Sequence, residues 1–132
     1  MRRAFDLSEV DREFLDARGQ PWETILEGQN RWVLIENLDP PAGYNYSTVS
    51  VALLLPAFYP DVQIDMAYFF PALARKDGKA INALSNRALD QKTWQQWSRH
   101  RVEPDAWRPG VDNIETHLRF VTAWLEEELH KR

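Results

Sequence analysis

The sequence predicts an α+β two-layer domain, on three observations. Apolar residues recur at helical spacing near each end of the chain, they alternate at period two over several runs in between, and those strand-like runs follow one another rather than alternating with helices. A chain of 132 residues has the length of one domain and can enclose a core without disulfide or metal support, so residues 1–132 are read as a single folding unit.

The first element is a helix over Leu7 to Arg18. Ser8 followed by Asp11 fits a capping arrangement, Gly19 and Pro21 stop the helix, and Val10, Phe14 and Ala17 share one face. Two strand-like runs come next, Trp22 to Glu27 and Arg31 to Glu36, and Gly28-Gln29-Asn30 between them predicts a hairpin. After the breaker Asp39-Pro40-Pro41-Ala42-Gly43, the run Ser47 to Leu55 places Val49, Val51, Leu53 and Leu55 on one face, as a half-buried antiparallel strand requires. Pro56 and Pro60 bracket the next break, and Val62, Ile64 and Met66 alternate again as a fourth strand leading to Phe69-Phe70-Pro71.

From Ala72 to Pro109 the pattern is irregular, with Asp77-Gly78 as a turn and Leu89 to Trp97 as a short helix. An insert of this length without regular structure is usually functional. Its last part concentrates Trp94, Trp97-Ser98-Arg99-His100-Arg101, Pro104 and Trp107-Arg108-Pro109, the polar and aromatic mixture typical of surface segments that bind or react. The chain closes with its clearest helix: Asp112 and Glu115 fit a cap, and Val111, Ile114, Leu118, Val121 and Leu125 recur at steps of three and four.

Composition removes several functional classes. There is no cysteine, so disulfides, thiolate metal sites and thiol nucleophiles are excluded, and covalent chemistry has to use oxygen or nitrogen. A net charge of −4 is opposite in sign to the footprint that phosphate backbones select, which argues against nucleic acid. No apolar run approaches the roughly 20 residues of a membrane helix, and the Met1-Arg2-Arg3 start leads into a polar helix pattern, so a soluble cytoplasmic protein without membrane partners is expected. His100, His117 and His130 lack metal-ligand spacing, no cofactor motif is present, and no G-x-S-x-G elbow marks a serine hydrolase.

Three landmarks stand in a telling order: Tyr59-Pro60 after the third strand, Phe70-Pro71 after the fourth, and Trp107-Arg108-Pro109 before the last helix. Together with the order of elements they make the chain resemble the ubiquitin-conjugating-enzyme (UBC) superfamily, and more narrowly its bacterial branch. The resemblance implies a UBC-like fold with an N-terminal helix, a four-stranded antiparallel meander, a long irregular active-site crossing and a C-terminal helix. Tyr59-Pro60 matches the family's Tyr-Pro, Phe70-Pro71 falls near its His-Pro, and Trp107-Arg108-Pro109 resembles its Trp-x-Pro. In the family the catalytic cysteine precedes that tryptophan by about eight residues. Here 107 − 98 = 9 points to Ser98, so serine stands where relatives have cysteine. Two further departures accompany it. Ala72 replaces the Asn that follows His-Pro in the family, and the interval from Tyr59 to Ser98, 98 − 59 = 39 residues, exceeds the family's usual one.

The resemblance implies an acyl carrier of a bacterial ubiquitin-like modification pathway, with a ubiquitin-like protein and an activating-enzyme-like protein as partners. Ser98 would accept the C-terminal acyl group as an oxyester and pass it to an amine. A serine hydroxyl needs a base, and His100, two residues on in an extended segment, is the nearest. Asn82 and Asn86 are the oxyanion candidates and Arg99 and Arg101 the tail-binding ones, while Trp97 and Trp107 frame the site. The alternative is a noncatalytic UBC-like module that binds a ubiquitin-like protein or its activating enzyme.

Overall fold

Period-two alternation between Trp22 and Leu55 produces three neighbouring antiparallel strands in the computed structural model, which describes residues 1–131. They are β1 (Trp22–Glu27), β2 (Asn30–Leu38) and β3 (Val49–Leu55). Gly28, at φ +61°, and Gln29 form the tight connection between the first two, with Glu27 paired to Asn30. β4 (Ala67–Phe70) follows β3, and a second hairpin, β5 (Leu84–Leu89) and β6 (Lys92–Trp97), completes a six-stranded sheet ordered β1-β2-β3-β4-β6-β5. The helices are α1 (Glu9–Ala17) and α2 (Ile114–Leu129); no helix among the described residues is long and apolar enough to cross a membrane.

Both faces of the sheet are buried. One carries Trp22, Val33, Ile35, Val51, Leu53, Phe69 and Trp97 against Leu15 of α1 and Ile114, Leu118, Val121 and Leu125 of α2. The other carries Ile25, Trp32, Leu34, Tyr68, Leu89 and Trp94. No helix covers this second face; the sheet curls instead. The tip of the β5–β6 hairpin reaches β1, where Arg2 bridges Glu23 (3.0 Å) and Asp90 (2.8 Å) and the Asp90 amide donates to Glu27. Arg87 lies over the Trp32 ring at 5.2 Å, closing the apolar pocket beneath it.

Several expectations need correction. The sheet has six strands, not four, because the segment expected as a helix at Leu89 to Trp97 is the end of β5, a tight turn and β6. Its turn residues Asp90 and Gln91 both have positive φ (52° and 61°), the geometry of a two-residue hairpin turn, written here without glycine. Trp94 and Trp97 lie on opposite sheet faces. The fourth strand begins at Ala67 rather than running through Val62, Ile64 and Met66. Met66 at φ +61° breaks the alternation, leaving Ile64 in the core and Val62 exposed. In α1 the buried positions are Asp11 and Leu15, while Val10 is 58% exposed, so the inward face is shifted from the one expected. The cap of α2 falls one residue later than Asp112: Asn113 and Thr116 form the reciprocal capping box, and Val111 is outside the helix.

The shift in α1 has a physical cause. Asp11, 1% exposed, accepts the Tyr59 hydroxyl on Oδ2 (2.6 Å) and the Ile114 amide, the first of α2, on Oδ1 (3.2 Å). Burial, and next the bond to Asp11, push the Tyr59 hydroxyl well above its usual pKa. One carboxylate thereby ties α1, the β3–β4 connection and the start of α2 together. Tyr59→Phe should remove about 1–3 kcal/mol of stability by leaving a buried carboxylate short of a donor. Urea unfolding followed by tryptophan fluorescence would show this as a lower midpoint at unchanged slope.

Candidate functional site

The crossing from β6 to α2 begins at the sheet edge. Ser98 is half-buried, and its amide donates to the Ala83 carbonyl at 3.1 Å, continuing the β5–β6 ladder by one step. The Arg99 amide bonds back to the Trp97 carbonyl at 3.1 Å, so the chain turns at Ser98. Arg99 and Arg101 turn towards α2. Arg99 stacks on Trp97 at 4.8 Å and pairs with the buried carboxylate of Glu128 at 2.9 Å. His100 is exposed, with Nδ1 3.0 Å from Oδ1 of Asp65. Among the described residues Ser98 Oγ makes no side-chain hydrogen bond, to His100 or to any other group.

Arg101 occupies an aromatic sandwich. Its guanidinium lies 4.0 Å from the Phe120 ring centroid and 4.9 Å from that of Trp107, and Nη2 is 3.1 Å from Nδ1 of His117. His117 is fully buried and its Nε2 is 2.8 Å from the Met66 carbonyl, so Nε2 carries the proton and Nδ1 accepts from Arg101. Burial pushes His117 down to about 4, and the neighbouring Arg101 charge acts in the same direction against the hydrogen bond to Met66. The imidazole is therefore neutral near pH 7 and offsets none of the arginine's charge. Burial also lowers the pKa of Arg101. Nε and Nη1 of Arg101 are shielded from water and have no hydrogen-bond partner among the described residues.

Two clefts meet at this arginine. The larger, about 330 Å³, is walled by the crossing (Arg99, His100, Arg101, Val102) and by Phe120 and Trp124 of α2. The smaller, about 180 Å³, shares Arg101, Asp105 and Phe120 with it. Among the described residues no group of three or more His, Cys, Asp or Glu side chains is placed to hold a metal ion.

The remaining expected site residues separate. Asn82 and Asn86 are both exposed, but the strand register puts Asn86 opposite Gln95, roughly 10 Å down the ladder from Ser98. Asn82 precedes the residue whose carbonyl holds the Ser98 amide and stays close to it. Trp97 is 0% exposed and supports the crossing from within the main core, its indole N–H bonded to Gln95. Trp107 does face the site, under Arg101. Its Nε1 donates to the Pro60 carbonyl at 2.9 Å and its ring lies 6.2 Å from that of Tyr59, so the Tyr-Pro and Trp-x-Pro landmarks touch.

Compared with known families, the sequence matches the model of Prokaryotic E2 family E over residues 7–128, nearly the whole chain. The chain belongs to prokaryotic E2 family E. No curated protein and no solved structure matches it. Family membership points to a transferase-like role in a ubiquitin-like conjugation pathway, with ubiquitin-like proteins and their activating enzymes as the general class of partner.

Two residues at this crossing were not anticipated. Asp65, the partner of His100, lies 35 residues away in a loop, and no spacing motif links the two. Phe120 falls on the helix between periodic core positions and gave no separate signal. His117, buried on α2, bonds to both Met66 and Arg101. A histidine held neutral in the fold contributes stability that is complete above its unfolded value near 6.5 and is lost as pH falls from there to about 4. His117→Asn should flatten the wild-type stability profile across that window, by up to about 3 kcal/mol at its acid end. Unfolding midpoints of both proteins at half-unit pH steps would measure it.

Proposed function

We propose that this protein is the acyl carrier of a ubiquitin-like conjugation pathway, accepting the C-terminus of a ubiquitin-like protein on Ser98 as an oxyester and handing it to an amine. The observation that supports this reading is the Asp65–His100 pair two residues from Ser98. A carboxylate on Nδ1 leaves Nε2 as the nitrogen free to take a proton, the arrangement by which a histidine activates a hydroxyl. With no cysteine in the chain, an oxygen nucleophile with such a base is the chemistry on offer.

The step balances as follows. Ser98 Oγ attacks the activated C-terminal carbonyl carbon, the new C–O bond forms, the bond to the activating enzyme's leaving group breaks, and the hydroxyl proton passes through His100 Nε2 to that leaving group. An incoming amine then attacks the oxyester and releases the Ser98 hydroxyl. Asn82 is the closer of the two amide side chains able to donate to the developing oxyanion.

A second reading, a noncatalytic module that binds a ubiquitin-like protein or its activating enzyme, draws on a different observation. Ser98 Oγ has no bond to His100, and the Ser98 amide is already engaged by Ala83 and unavailable to an oxyanion. One experiment separates the two. Incubated with the cognate activating enzyme and ubiquitin-like protein, the carrier should form an adduct that survives thiols and is cleaved by alkali or hydroxylamine. Ser98→Ala should abolish it, Ser98→Cys should make it thiol-sensitive, and His100→Ala or Asp65→Asn should slow its formation roughly 100-fold or more. Saturable binding that Ser98→Ala leaves unchanged, with no covalent species at any time, would establish the module instead.

A further inference from the structure

Among the described residues the charge of Arg101 is met by carboxylates only at longer range, from Asp112, Asp105 and Asp65. No carboxylate lies within ion-pairing distance of it, whereas Arg75, Arg99 and Arg108 each have one. Its one hydrogen-bonded nitrogen meets a neutral imidazole, and Nε and Nη1 are unpartnered. A desolvated cation with two idle donors is costly to keep, and removing water from it strengthens its attraction for an anion that can reach it. The two rings hold the guanidinium plane in place, and the clefts on either side of it are the approaches.

We propose that this cleft is a noncovalent site for the free C-terminal carboxylate of an extended peptide, bound by Arg101. A guanidinium without a salt bridge matches a singly charged carboxylate, which Nη1 and the second hydrogen of Nη2 can hold along one edge of the planar fork. A phosphate dianion fits less well, because Asp105 and Glu127 also line the larger cleft and would repel the second charge, while its other cations, Arg99 and Lys131, are paired with Glu128. The same two acids can accept amide N–H groups from a peptide backbone. Val102, Phe120, Ala123 and Trp124 provide apolar wall for the side chains that precede the terminus. Because Nη1 is shielded, the carboxylate reaches this edge by entering beside the half-buried Phe120 ring, which forms part of both clefts. The identification of such a peptide as the tail of a ubiquitin-like protein rests on the conjugation reading above; the carboxylate site itself does not.

The test uses the full-length protein and a set of N-acetylated tripeptides of varied sequence, each as the free acid and as the C-terminal amide, including amides with an internal Glu. Titrations are followed by the Arg101 Nε–H resonance in nitrogen-15 spectra. Free acids should shift that resonance and bind about tenfold or more tightly than the matching amides. Arg101→Gln, checked for an unchanged melting profile, should lose the difference, while Ser98→Ala should keep it. Equal binding of acid and amide by the wild type overturns the proposal whatever the variants do. So does binding of inorganic phosphate or acetate as tight as that of the best peptide acid, and so does an amide with an internal Glu that matches the acids. If acids bind but Ser98 never carries an adduct, the acyl-carrier reading alone falls; if the adduct forms and acids show no preference, this site alone falls.

Discussion

The carboxylate of Asp11 is withdrawn from water between three elements, with the Tyr59 hydroxyl on one oxygen and the first amide of α2 on the other. A charge in that position costs solvation, and the donors around it recover that cost only when α1, the β3–β4 connection and α2 are in their final places. The interaction therefore specifies an arrangement more than it adds stability. Trp107, packed on Tyr59 and bonded to Pro60, extends the same node into the crossing segment and carries Arg101 on its other side.

The two arginines of the crossing show how such a framework sorts chemically identical groups. Arg99 meets a buried carboxylate, Glu128, and becomes part of the scaffold. Arg101, two residues later, meets two aromatic faces and a neutral histidine and forms no salt bridge among the described residues. His100 also lines the cleft, and its ring meets Asp65 rather than α2.

How much of this could be read from the chain depends on the range of the interactions. The hairpin at Gly28, the alternation of Val49 to Leu55 and the stripe Ile114 to Leu125 are local patterns, and the structure follows them. The β5–β6 hairpin escaped notice because Asp90 and Gln91 adopt left-handed conformations without the usual glycine. The curl of the sheet was equally hidden, since Arg2 and Asp90 are 88 residues apart. At the site, Ser98, His100 and the arginines stood out by residue type and neighbourhood. Asp65 did not, because an aspartate in a loop looks like any other until the fold brings it to a histidine. The segregation of Asn86 from Ser98 follows from strand register, which sequence could not supply for an element read as irregular.

Both ends of α2 are held by side chains from elsewhere. Asp11 takes the first amide, and at the far end Arg75, itself paired with Asp77, donates to the carbonyls of Glu128 (2.6 Å), Leu129 (3.2 Å) and Lys131 (3.0 Å). A helix clamped in this way cannot slide along its axis or unwind a terminal turn without breaking one of the clamps. Of the two banks of the Arg101 cleft, the helical one is consequently stationary, and whatever accommodation a guest requires must come from the backbone between Arg99 and Trp107.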